Sequence, residues 1–156
     1  MVRTTHHTFS IVNYNQPIVA IPFNRVEHSQ KSINIDVGLM DYMAFSLQWI
    51  PVYYPKNNHY GYGIKLTAST IIEYNGAVVM KNIVQAWLNL FTIAPKTFRL
   101  KLGWKFKDNE DGEYQYSTYL RDEVIYKLDQ LLNYSTLVIS KPKEVYILHV
   151  GVSTLH

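Results

Sequence analysis

The sequence predicts one α+β domain over residues 1–156, a mostly antiparallel sheet with two helices packed on it, about 78–91 and 119–133. Three observations carry that prediction. Phe98, Leu100, Leu102, Trp104 and Phe106 alternate with Arg99, Lys101, Gly103, Lys105 and Lys107, the period of a half-buried strand. Two stretches repeat apolar residues at helical spacing: Val79, Ile83, Trp87, Leu90 and Phe91, then Leu120, Val124, Ile125, Leu128, Leu131 and Leu132. Finally, 145–152 is apolar on both sides, as strands inside a sheet usually are.

The elements follow in chain order. Segments 9–14 and 18–23 read as short extended pieces, and 29–32 as a polar turn. Ile33, Ile35, Val37 and Leu39 alternate with polar residues and predict a strand. Residues 43–54, apolar on both faces, predict a strand covered twice, which Pro51 pushes towards an edge or a bulge. A loop follows over 55–63, rich in Asn, Gly and Tyr. From Tyr62 to Tyr74 the period is two again. Asn75-Gly76 then admits two readings: the start of the first helix, or a hairpin turn with 77–80 returning as a strand. Pro95 ends that helix. The strand after it turns at 108–112 and returns over 113–117, and Ser117 or Thr118 caps the second helix. Residues 138–140 read as extended and Lys141-Pro142-Lys143 as a turn.

Composition narrows the classes of function. With 47% hydrophobic and only 17% charged residues the chain can bury a core, so it is not a disordered segment. The absence of cysteine excludes a disulfide framework, a cysteine nucleophile and thiolate metal sites. A net charge of +3 leans towards anionic partners. No apolar run reaches membrane-span length, no signal-peptide core follows Met1, and no glycine follows it for acylation, so the expected location is the cytoplasm.

Catalytic motifs do not survive inspection. His6, His7, His28, His59, His149 and His156 form no His-Glu-x-x-His or i, i+4 pair, and His149, in an apolar strand, reads as a hydrogen-bonded core histidine. Gly61-Tyr62-Gly63 lacks the third glycine of a dinucleotide fingerprint. There is no P-loop and no serine-hydrolase elbow, and Asp108, Glu110 and Asp111 do not follow calcium-loop order. No catalytic residue, metal, cofactor or small-molecule substrate is expected. The rival is a hydrolase or nuclease assembled from dispersed residues such as His59, Glu73 and Asp111.

Two clusters suggest binding instead. Lys96, Arg99, Lys101, Lys105 and Lys107 are expected along one sheet face, able to meet acidic lipid heads or phosphate backbones, with a plain solvated face as the alternative. On this reading Phe98, Trp104 and Phe106 point the other way, into the core. Tyr53, Tyr54, Tyr60 and Tyr62 gather around one loop and are candidate interface residues, or else rim the core.

The stretch from 64 to 104 resembles the core of rhabdovirus matrix proteins: Lys65-Leu66-Thr67, Tyr74, Trp87, then Phe98, Leu100 and Leu102-Gly103. The resemblance implies a basic, non-enzymatic viral structural protein that self-associates, contacts the inner membrane surface and condenses nucleocapsid, in the host cytoplasm or the inner virion layer. The chain departs from that family in lacking a Lys-rich N-terminal tail and a Pro-Pro-x-Tyr motif, so a shorter matrix-like accessory protein fits better. The implied partners are further copies of the chain or a larger protein, with acidic lipid or nucleocapsid as the surface. The alternative is a phage or mobile-element accessory or inhibitor protein that binds a host protein.

Overall fold

The computed structural model describes residues 2–15, 32–65, 67–106 and 111–155. The expected extended piece at 18–23, most of the turn at 29–32, and Lys107 lie outside them. In chain order the elements are β1 (Val2–Asn13), β2 (Ile33–Asp36), α1 (Val37–Leu47), β3 (Pro51–Tyr54), β4 (His59–Tyr62), β5 (Thr70–Ile72), α2 (Tyr74–Thr92), β6 (Thr97–Phe106), β7 (Gly112–Leu120), α3 (Arg121–Ser140) and β8 (Val145–Leu155). Six strands form an antiparallel sheet in the order β2-β1-β8-β5-β3-β4, and β6 with β7 forms a separate hairpin. The α+β class is as the sequence predicts, and β8 lies inside the sheet, between β1 and β5.

One helix escapes the sequence reading. Alternation from Ile33 reads through to Leu39, but the strand stops at Asp36, whose Oδ2 accepts from the Leu39 N–H at 3.3 Å. That N-cap opens α1, whose buried Leu39, Met40, Met43 and Leu47 follow helical spacing. The expected strand over 43–54 is therefore the end of α1, a turn, and a short β3 that starts at Pro51. Pro51 occupies a strand's first position, where its missing N–H does no harm. The expected loop at 55–63 folds back as β4. The expected strand over 62–74 shrinks to 70–72, so Lys65 and Thr67 lie outside any strand.

The two predicted helices are present and longer. α2 runs straight through Asn75-Gly76, which settles the helix against the hairpin. α3 begins at Arg121 with no side-chain cap from Ser117 or Thr118; Asp122 and Glu123 in its first turn complement the helix dipole instead. It extends through 138–140, which is helix and not an extended segment.

The main core lies between one face of the six-stranded sheet and the helices. Phe9, Ile35, Ile72 and Ile147 from the strands meet Leu39, Met40, Met80, Leu128 and Val138 from the helices. A smaller cluster of Val12, Ile71, Tyr146 and Leu148 occupies the opposite face. Trp87 Nε1 donates to Ser46 Oγ at 2.8 Å, pinning α2 to α1. Tyr119 donates to Asp36 Oδ2 at 2.6 Å, tying the foot of the hairpin to the start of α1.

Two histidines sit inside this core. His149 pairs across the ladder with Phe9, and His7 lies opposite Gly151. Their rings stack 5.0 Å apart, and His7 Nδ1 lies 2.7 Å from His149 Nε2, so one of these nitrogens carries the shared proton. Both side chains are fully buried, and burial pushes the His7 pKa down to about 4 and that of His149 well below its ordinary value. His149 is thus the hydrogen-bonded core histidine that its apolar strand suggests.

Candidate functional site

The hairpin β6–β7 rearranges the basic face that simple alternation predicts. Between Lys101 and Gly103 the register slips: Lys101 pairs with Tyr116, but Gly103 pairs with Gln115, so Leu102 is an extra residue. Directly paired residues share a face. Before the bulge, Arg99 and Lys101 share theirs with Thr118 and Tyr116. Beyond it, the same face carries Trp104, opposite Tyr114, and Phe106. Lys105 is turned to the reverse face, where it pairs with Glu113. Lys96 is exposed just before the strand, and Lys107 lies outside the described residues. The expected row of five cations is therefore split, and the two that stay together, Arg99 and Lys101, stand among aromatic rings.

Side-chain contacts agree with that face. The Arg99 guanidinium lies over the Tyr116 ring, 4.3 Å from its centre, and the Lys101 ammonium 3.3 Å from the centre of the Tyr114 ring. Trp104 meets Tyr114 edge-on at 4.8 Å and Phe106 at 6.5 Å. Gly112 makes room for the indole, since a Cβ there would fall 2.0 Å from Trp104 Nε1. At the foot, Phe98 stacks on Phe91 and Tyr119, and Leu100 is buried. Beyond Leu100 the strand is exposed on both faces, so the distal hairpin stands clear of the core. Trp104 is 50% and Phe106 77% exposed, which corrects the expectation that they belong to the core. Sequence reasoning missed Tyr114 and Tyr116 as parts of this face. Gly103, a glycine inside a strand, was the available cue for a bulge.

The tyrosine cluster divides too. Tyr54 is buried, and its hydroxyl donates to the carbonyls of Tyr62, at 2.8 Å, and Gly63, at 2.6 Å; it is a core residue and not an interface one. Tyr53 and Tyr60 pair across β3–β4 on the opposite face, with Tyr62 two residues further on. Tyr60 and Tyr62 are 70% and 72% exposed. Together with Tyr74, Glu73, Asn75 and Pro142 these three line a cavity of about 290 Å³ beside the start of α2.

A third surface is apolar. Trp49, Ile83, Ala86, Trp87 and Leu90 line a groove between α1 and α2, with Ser46 and Asn82 as its polar members. Among the described residues, no group of three or more His, Asp or Glu gathers as a metal site. No helix among them is long and apolar enough to cross a membrane. Comparisons with protein-family models, with curated proteins and with solved structures find no match to this chain.

Proposed function

We propose that this chain is a non-enzymatic, matrix-like interaction protein that docks on an acidic membrane surface through the Arg99–Lys101–Trp104–Phe106 face of its hairpin. The observation that carries the reading is the layout of that face. Exposed Trp104 and Phe106 lie towards the hairpin's end, and Arg99 and Lys101 nearer its foot. Aromatic rings at the boundary with the acyl chains and cations at headgroup level suit an interfacial anchor. Single-stranded nucleic acid is the less favoured ligand. Base stacking needs open ring faces, and here Lys101 and Arg99 cover Tyr114 and Tyr116, while Trp104 stands edge-on to Tyr114.

The test is flotation with phosphatidylcholine vesicles, with and without phosphatidylserine. Binding is expected to the acidic vesicles alone and to fall steeply with salt. Each basic residue near such a surface is worth about 1 kcal/mol. Reversing two, in Arg99→Glu/Lys101→Glu, should therefore weaken binding about thirtyfold or more. Lys105→Gln, on the reverse face, should change it far less and alter stability by no more than about 0.5 kcal/mol, whereas the double variant also loses two cation–π contacts worth about 0.5–1 kcal/mol each. Equal binding to neutral vesicles, or a preference for single-stranded nucleic acid, would overturn the reading.

The apolar groove between α1 and α2 supports assembly with further copies, and equally favours a second reading: an accessory or inhibitor protein that seats one host protein there. Light scattering over a range of concentrations separates the two. Assembly that grows with concentration fits the first, and a strict monomer fits the second.

A further inference from the structure

The cavity beside the start of α2 has a composition unlike the other surfaces. Tyr53, Tyr60, Tyr62 and Tyr74 line it, and among the described residues Glu73 is its one charged member. Glu73 is the N-cap of α2, yet its carboxylate makes no capping bond to the helix amides. It stands instead beside tyrosine hydroxyls. Its negative charge is the main cause of the raised Tyr60 pKa, and it adds to burial in pushing Tyr14 up to about 12. Among the described residues the ion pair formed is Arg121–Asp122, so no lysine or arginine there neutralises Glu73.

Tyrosine rings with a carboxylate among them are complementary to an organic cation, since the face of an aromatic ring and a carboxylate attract the same charge. An anion would meet Glu73 directly. A volume of about 290 Å³ lies at the small end of ligand sites, room for one head group and not for an extended molecule. The wall is also set in advance. Tyr53 donates to Asn58 Oδ1, its ring lies 4.9 Å from that of Tyr60, and Asn58 holds the tight turn between them with φ at 51°.

The geometry points to a site for an alkylammonium group, the side chain of a lysine presented by a partner protein. It is independent of the hairpin and goes beyond the membrane reading. The experiment follows backbone amide shifts of 60–63 and 73–76 by NMR while the full chain is titrated with probes. These are n-butylammonium, sodium butyrate, a short peptide with one central lysine, and the same peptide with norleucine there. The ammonium and the lysine peptide are expected to shift those amides, the peptide binding tighter, and butyrate and the norleucine peptide to leave them unmoved. Glu73→Gln keeps the shape and should weaken lysine-peptide binding at least tenfold. Tyr62→Ala should weaken it while leaving the circular dichroism spectrum unchanged. Binding of butyrate, no response to either cation, or undiminished binding by Glu73→Gln overturns the site. Equal affinity for free ammonium and peptide overturns the assignment to a protein partner.

Discussion

Gly76→Ala is expected to cost about 3 kcal/mol of stability and to lower the melting temperature by roughly 5–10 °C. Gly76 is in the first turn of α2, where the helix lies close against β3. A Cβ there would fall 2.2 Å from the Pro51 carbonyl oxygen and 2.9 Å from Ile72 Cγ2. The first neighbour is backbone inside the sheet and cannot swing aside. Alanine's better helix propensity returns about 1 kcal/mol, too little to offset that overlap. Thermal and urea denaturation followed by circular dichroism measure the effect. Gly103→Ala is the control: nothing lies within 4 Å of its Cβ position, and the change should be nearly neutral. Equal stability of Gly76→Ala and the parent chain would show that α2 does not approach β3 so closely.

Acid should unfold the protein through the histidine pair. His7 titrates near 4 in the folded chain and near 6.5 when unfolded. Burial is the main cause, the charge of His6 adds to it, and Asp36 opposes it. His149 shifts the same way, through burial and then His7. The sign follows from the protons. Below pH 6.5 the unfolded chain binds more of them, so the stabilisation is fully present above pH 6.5 and is lost as pH falls towards 4. At 1.36 kcal/mol per pKa unit, His7 alone accounts for about 3 kcal/mol over that window. Urea midpoints at pH 7 and pH 4.5 should differ accordingly, and His7→Leu/His149→Leu should remove most of the difference. A parent chain equally stable at both values would contradict a buried neutral pair.

Periodicity is legible where an element is long and packs on one side. α3 and β8 are long enough for the pattern to repeat, and both lie where their apolar residues predict. It misleads where two elements share an apolar run. From Ile33 to Leu39 a strand ends and a helix starts without a break in alternation; the one local signal is Asp36, a good N-cap that also reads as an ordinary polar position in a strand. In 43–54 a helix end and a short strand are both apolar, which imitates one doubly covered strand. At the hairpin the spacing picks out the residues but not their sides, because one extra residue at Leu102 exchanges the faces of everything beyond it. The tyrosine cavity needs Glu73 to meet Tyr60 across the fold, and sequence spacing does not carry that.

The hairpin anchor is tested most directly by the depth of Trp104. In Trp49→Phe/Trp87→Phe, which leaves Trp104 as the only tryptophan, emission is recorded as vesicles containing phosphatidylserine are added, with and without bromine on the acyl chains. The expected result is a blue shift, with strong quenching by the brominated lipid that disappears in high salt. Emission that stays at its solvent-exposed wavelength and is not quenched, while the protein floats with the vesicles, would contradict it.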